Sequence, residues 1–408
     1  MKVLYISYDG MTDPLGQSQV IPYLQGLSAK GHEITLISCE KQERFSAHGK
    51  MIAALLSASS IAWHPVPYSS LPSVLSKQLN LFRMEKKARK LCEVLKPAAV
   101  HCRSYMAALI GLKLKRKYGI QFIFDMRGFW ADERIDGNIW SLGNPLHKRI
   151  YAYFKKMETD FLRNADYTIS LTENAKKEIL SWPALKGTKV PVEVIPCCAD
   201  LALFSAASVD PAKQKSLQAR LGITENDLVI SYLGSIGTWY MLDEMLDFFK
   251  CLLAKKANAK FLFITPDTAD QIHESAKRKG IPQERIAVVS AQRAEVPAYL
   301  SLSAISLYFI KPLYSKKASS PTKTAEIMGL GIPLITNSGI GDSDLILGEA
   351  KAGALINEFT TAEYERIIEQ IDVLLKLDKT TIAQASEKYF SLQRGVEKYA
   401  AVYAKLAQ

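Results

Sequence analysis

No apolar run in the chain reaches eighteen residues, so no transmembrane helix is expected. The start, MKVLYISYDG, lacks the apolar core and small-residue cleavage site of a signal peptide and reads as a strand. Cysteine is scarce. There are six, none at metal-ligand spacing, and Cys197 and Cys198 are adjacent, which suits neither an ordinary disulfide nor a zinc site. Reduced thiols of a cytosolic protein are the expectation. Histidine is equally scarce at six and forms no cluster, which excludes chemistry built on grouped imidazoles. Repeats and low-complexity tracts are absent. So is the GxGxxG dinucleotide fingerprint.

What remains is an ordinary globular composition, 48% hydrophobic and 23% charged, in 408 residues, a length that suits two or three domains. The net charge of +11 is uneven. Residues 1–200 hold 28 Lys+Arg against 18 Asp+Glu, whereas residues 201–408 hold 24 against 23. The basic half is expected to meet an anionic surface or substrate. No nucleic-acid-binding module accompanies the charge, so no nucleic-acid partner is expected.

The most informative stretch is 305–336, ISLYFIKPLYSKKASSPTKTAEIMGLGIPLIT. It reads as strand, loop carrying Lys316 and Lys317, helix, strand. Ser319 or Ser320 suits the helix N-cap and Pro321 the first helical position. The helix runs from about Thr322 to Leu330, with Gly331 and Pro333 as stops. Its first N–H groups lack partners and its dipole favours an anion. Lys323 stands in that first turn, where the dipole disfavours a cation, so an anion there would resolve the conflict. Glu326, one turn on, shares its face with Thr322 and Lys323. Together they match a nucleotide's phosphate and ribose. A solvated Lys323–Glu326 pair on a surface helix fits the same spacing.

The rest of the chain reads as two successive βα series. The first begins with strand Lys2 to Tyr8, the loop DGMTDPLGQSQ with Gly16, a helix from about Val20 and the strand ITLISC. A helix covers 46–60, and residues 63–73 read as a Pro-rich loop. Residues 77–96 form a basic helix that suits either an anionic membrane surface or simple packing on a sheet. The strand IQFIF runs into Asp125, Arg127, Trp130, Asp132 and Glu133, the pattern of a site on a loop past a buried strand. Trp130 and Trp140 argue against a plain solvated loop there. Residues 201–222 read as a linker. The second series starts near residue 226, with a glycine turn at Gly234 to Gly237, and a helix over about 389–408 follows the last domain. Two such domains imply a cleft between them.

These motifs, in this order, resemble the family-four glycosyltransferases of bacteria. DGMTDPLGQSQVIPYLQGLSAKGHEITLIS, VIPCCADLALF, LGSIGTWYMLDEML and SSPTKTAEIMGLGIPLIT carry the resemblance over nearly the whole chain. It implies an α/β fold of GT-B architecture: two facing Rossmann-like domains at 1–200 and 201–385, and a helix at 386–408 returning to the first. It further implies transfer of a sugar from a nucleoside-diphosphate sugar, with retention and without a bound metal or other cofactor. The acceptor would be a glycan or lipid-linked molecule in surface polysaccharide or glycolipid synthesis. The site implied is cytoplasmic, with peripheral contact to the anionic inner membrane through the basic half.

By position, Glu326 matches the ribose-binding glutamate. Ser319, Ser320 and Thr322 line the diphosphate. Gly16, Gly234 and Gly237 border the donor. Arg127 and Lys323 take the catalytic places, with Asp125, Trp130 and Glu133 contacting acceptor or sugar. Ala318 replaces the family's second glutamate, and Ser235 stands where an Arg and a Lys usually follow the glycine turn, leaving their role to Lys323 or Lys316. Asp342-Ser343-Asp344 resembles a short metal-binding motif but sits where a helix cap belongs. An epimerase would need added carboxylates and histidines, and a pyridoxal-phosphate phosphorylase a longer chain. A catalytically degenerate sugar- or nucleotide-binding protein is the alternative.

Overall fold

The computed structural model describes residues 1–69 and 73–407. The chain divides into two compact units: Met1–Pro196 with Leu392–Gln408, and Cys197–Ser391.

The first unit holds a seven-stranded parallel sheet. Its strands are β1 Lys2–Ser7, β2 Glu33–Glu40, β3 Ala62–Pro67, β4 Ala99–Arg103, β5 Gln121–Asp125, β6 Tyr167–Ser170 and β7 Val192–Val194. They lie in the order β3-β2-β1-β4-β5-β6-β7. β1 from Val3 onward and all of β4 are buried, as a parallel sheet covered on both faces requires. The order reverses between β1 and β4, and ligands of such sheets sit at the carboxyl ends of strands beside that reversal. Register pairs Ser7 with Arg103 and Arg103 with Asp125, so three polar residues line that edge in a row.

The second unit holds a six-stranded parallel sheet. Its strands are β8 Leu228–Leu233, β9 Ala259–Ile264, β10 Ile286–Val289, β11 Ile305–Leu307, β12 Leu334–Asn337 and β13 Gly353–Ile356. The order is β10-β9-β8-β11-β12-β13. Here the reversal falls between β8 and β11, which puts Gly234 and the segment after Leu307 at neighbouring strand ends.

Both units are the Rossmann-like α/β domains expected, and the last helix, Leu392–Leu406, packs on Ile21–Ala29 as expected. A Cβ on Gly26 would stand 2.6 Å from Val396 Cγ2, so the two helices meet at van der Waals limit there. Tyr23 and Tyr399 meet edge to face at 5.5 Å beside it.

Several local readings change. Residues 63–67 of the expected Pro-rich loop belong to β3, an edge strand, where Pro65 and Pro67 interrupt no essential ladder. Residues 70–72 of that loop lie outside the described residues. The expected linker contains the helix Pro211–Arg220, which Asp210 caps by accepting from Ala212 N at 2.9 Å. The helix expected near Val20 is two, Pro14–Gln19 and Ile21–Ala29, so Gly16 lies in a helix and not a loop. The final helix is also two, Lys379–Phe390 and Leu392–Leu406, broken at Ser391, which bridges to Ala199. Among the described residues no helix is long and apolar enough to cross a membrane.

Candidate active site

In the second unit, the chain after β8 folds back on the chain after β11. Tyr240 bridges Ile310, Met241 N donates to Phe309 O at 3.0 Å, and Lys311 N to Trp239 O at 3.0 Å. This pairing carries two aromatic rings over two lysines. Lys316 Nζ lies 3.4 Å from the Trp239 ring centroid, and Lys323 Nζ lies 3.5 Å from that of Tyr240. The Tyr232 and Tyr308 rings complete a cage around Lys323 at 4.3 and 5.5 Å.

Lys323 is 8% exposed and donates to Tyr232 Oη at 3.2 Å. Burial holds its pKa well below the ordinary lysine value, and Glu326 opposes that only in part. The cage faces supply cation–π attraction, yet an ammonium has three N–H groups to place. Gly234 (φ +104) stands beside it: a Cβ there would come within 3.1 Å of Lys323 Nζ. Glycine therefore serves both the left-handed turn and the space for the amine.

The helix Thr322–Gly329 starts at Thr322 as expected, but Pro321 is the N-cap rather than the first helical residue, and neither Ser319 nor Ser320 caps it. Ser319, Ser320 and Thr322 are half-buried at that start, and Ser320 Oγ accepts from Cys197 N at 3.1 Å. Glu326 is not a solvated partner of Lys323. It is buried and pairs with Arg293, whose guanidinium lies 4.7 Å from the Phe204 ring centroid. Ala318 is buried in the 3-10 turn Tyr314–Ala318. Gly237 is exposed and lines a cavity of about 890 Å³ with Tyr240, Asp267 and Arg278. Thus Gly234, Lys323 and Glu326 share the helix start with Ser319, Ser320 and Thr322, while Gly237 stands off to one side.

In the first unit, the loop after β1 is held by Glu40, a buried carboxylate at the end of β2. It accepts from Met11 N at 2.7 Å, Thr12 N at 3.1 Å and Thr12 Oγ1 at 2.6 Å. Gly16 closes on this loop: a Cβ there would stand 2.2 Å from Gly10 O and 2.7 Å from Met11 Cα. Gly16→Ala must push the helix off the loop, and a loss of about 1–3 kcal/mol is expected. Urea unfolding measures it; an unchanged midpoint would show that the loop yields freely.

Asp125 ends β5 at 1% exposure, so its carboxylate is withdrawn beneath the strand ends rather than presented to a sugar. Tyr399 Oη donates to it at 3.0 Å, with His101 Nε2 at 3.6 Å and Arg127 Nη1 at 3.8 Å. Burial alone would raise its pKa, but Arg127, His101 and Arg103 together hold it below the usual carboxylate value. Arg127 follows in left-handed backbone (φ +58), next to Gly128 (φ +121), a strained turn at the strand end. Arg103, at the end of β4, is buried with Nε 3.4 Å from Asp9 Oδ2.

Trp130 opens the helix Trp130–Asp136 and stacks on Tyr105 at 5.7 Å, with Trp140 edge-on at 5.4 Å. Glu133 is half-buried in the same helix. The structure thus gathers Asp125 and Arg127 at one strand end and sets Trp130 in an aromatic cluster.

Asp342 occupies the N-cap position of Ser343–Ala350 without a side-chain cap bond. Asp344 accepts from Ser338 Oγ and, at 2.9 Å, from Gly339 N. No group of three metal-holding side chains occurs among the described residues. Sequence reasoning missed Tyr232, Tyr308, Arg293 and Glu40. Tyr232, Arg293 and Glu40 reach their places from strands or turns remote in sequence, whereas Tyr308 directly follows β11 within 305–336; only their aromatic or charged character in otherwise apolar runs marked the tyrosines and Glu40.

Residues 19–203 match the family described as Glycosyltransferase Family 4. Solved structures sharing the fold include sucrose-phosphate synthase from Thermosynechococcus elongatus (TM-score 0.72, 13% identity, 100% of this chain and 99% of that one). Anabaena HepE in complex with UDP-glucose gives a TM-score of 0.69 at 14% identity over 99% of this chain and 100% of that one. WaaG, a glycosyltransferase involved in lipopolysaccharide biosynthesis, gives 0.64 at 13% identity over 98% and 99%. At such identities the likeness is one of fold. No curated protein matches the chain by sequence.

Proposed function

We propose that this chain, whose residues 19–203 match Glycosyltransferase Family 4, transfers a hexosyl unit, with retention, from a nucleoside-diphosphate sugar to a glycan or lipid-linked acceptor. The observation that carries the donor side is Lys323: a buried amine, caged by tyrosines, at a helix start beside Gly234. HepE, a structural neighbour, is a complex with UDP-glucose, which agrees with a nucleotide-sugar donor.

As the glycosidic bond breaks, negative charge grows on the leaving diphosphate. Lys323 and the free N–H groups of the helix start are set to receive it, so no metal is needed for that step in this reading. Ser319, Ser320 and Thr322 bond the same oxygens, and Glu326 accepts from the ribose hydroxyls. Arg127, raised on its strained turn, touches the sugar or acceptor, with Trp130 and Glu133 along the same stretch. The pathway is surface polysaccharide or glycolipid assembly on the cytoplasmic side of the inner membrane, which the basic first half approaches.

Thermal shift with UDP, GDP and ADP and their sugar conjugates, with and without magnesium, tests the reading. Stabilisation by one nucleotide series without magnesium is expected; stabilisation by none would overturn it. Glu326→Ala is expected to weaken nucleotide binding about 10- to 100-fold while leaving pyrophosphate affinity unchanged. Equal nucleotide affinity in variant and parent would remove the ribose assignment. A second reading, a nucleotide-sugar binder without turnover, is favoured by Ala318, which brings no carboxylate to the donor sugar. Donor binding without transfer to any acceptor or to water would select it.

A further inference from the structure

The first unit contains a cavity of about 510 Å³ that the donor chemistry does not use. Its wall is apolar: Leu81, Met106, Leu109, Trp140, Ile150 and Phe154. Its rim is cationic, with Lys77 and Arg149 both exposed and neither pairing with an acid among the described residues. A second cavity of about 190 Å³ shares Lys77, Met106, Trp130 and Trp140 with it and extends to Asp9 and Ser104, at the ends of β1 and β4. The apolar cavity therefore adjoins, across shared walls, a smaller one that reaches the carboxyl ends of the strands. At the rim itself, the lining residues Leu146 (56% exposed) and Tyr153 (49%) leave apolar surface in water beside Lys148 and Arg149.

We infer that this cavity takes the hydrocarbon chain of an anionic lipid-linked acceptor, with its phosphate at Lys77 and Arg149 and its head directed along the smaller cavity toward Asp9 and Ser104. The inference rests on the transferase reading and narrows its acceptor from glycan or lipid-linked to lipid-linked. A glycan in the larger cavity would leave its hydroxyls unpaired against aliphatic and aromatic walls, at substantial cost. An alkyl chain meets no such penalty, and the volume lies within the usual range for small-molecule pockets. The two cations supply charge complementarity to a phosphate at the mouth. The patch of exposed apolar residues beside them suits a molecule drawn from a bilayer.

Isothermal titration with hexyl, octyl and decyl phosphate below their micellar concentrations tests it, with decanol as the uncharged control. Saturable one-to-one binding is expected, tightening about three- to fourfold per added methylene. The Lys77→Gln/Arg149→Gln double variant is expected to lose about tenfold for decyl phosphate and little for decanol at low salt. Leu109→Phe, which fills the cavity, is expected to weaken decyl phosphate most while keeping the nucleotide thermal shift that shows the protein folded.

Binding that ignores chain length, or that survives Leu109→Phe unchanged, would overturn the proposal. So would capture by anionic vesicles with no binding of monomeric decyl phosphate, which would make the patch a membrane contact and no acceptor pocket. Loss of every nucleotide shift with chain binding intact would instead remove the transferase reading on which the acceptor role depends.

Discussion

Lys323→Met is expected to lower turnover of the nucleotide-sugar donor by about 10²–10³-fold while the protein stays folded. The size follows from where the amine sits. It is buried among the Tyr232, Tyr240 and Tyr308 rings and donates to Tyr232 Oη. In that cage a diphosphate bound as proposed would meet an amine stripped of water, so the interaction of the protonated amine with it would be strong. Methionine has similar length and packs well against aromatic rings, so the cage persists without the charge.

The pH dependence gives a second readout. Burial holds the Lys323 pKa well below the ordinary value in the free protein, and a bound diphosphate raises it. Donor affinity is then full below the free-state pKa and falls as pH rises toward the bound-state pKa, by at most about tenfold per unit. Titration calorimetry in two buffers reads the accompanying proton uptake, and the methionine variant should show none. Stability runs the other way. Between the folded-state pKa and about 10.4 the unfolded chain binds more protons, so stability rises with pH in that window. Donor affinity equal in parent and variant at every pH would sink the assignment.

What could be read in the sequence was the part written in contiguous residues. The strands are short apolar runs bounded by glycine and proline. The helix start at 319–326 puts hydroxyls, Lys323 and Glu326 on successive turns, and local spacing alone brings them together. The partners of those residues were not legible. Glu326 meets Arg293 from a 3-10 turn 33 residues away, and Lys323 meets Tyr232 from a strand 91 residues away. Nothing in either local pattern specifies the other. The β3 segment was read as loop because Pro65 and Pro67 are excluded from central strands, and only the sheet order reveals an edge. The break at Ser391 has the same origin. A continuous helical pattern from about 389 onward hides a turn fixed by pairing with Ala199.

Asp125 is the furthest such case, and its replacement is expected to give the largest loss of stability. The carboxylate accepts from Tyr399 in the last helix, 274 residues on, and His101 next to it bonds Tyr403 Oη through Nδ1 at 2.8 Å. The last helix is thereby fastened to the strand ends by a buried polar network as well as by packing on Ile21–Ala29. Asp125→Ala leaves the Tyr399 hydroxyl without its acceptor in a dry site and removes the carboxylate that faces Arg127. A loss of about 3–5 kcal/mol is expected, since breaking a buried charged contact leaves its partners uncompensated. Tyr399→Phe removes one bond and should lose only about 1 kcal/mol.

The acid limb of the stability curve carries the same network. Burial depresses the His101 pKa, with Asp125 opposing it, so stability falls as pH drops below about 6.5 toward the folded-state value. Asp125 is held below its ordinary value, so its contribution is present above about 3.9 and is lost as pH falls through the folded-state pKa. In Asp125→Ala the second loss should vanish, while the first extends to lower pH because the opposing carboxylate is gone. Urea midpoints between pH 3 and 8 read both. The strained Arg127 turn, 3.8 Å from the lost carboxylate, should relax at the same time. Transfer activity in the variant should therefore fall by more than its folded fraction accounts for, whereas donor nucleotide affinity, on the proposal that Lys323 and Glu326 of the second unit set it, should hold. Unchanged activity per folded molecule would separate Arg127 from the chemistry.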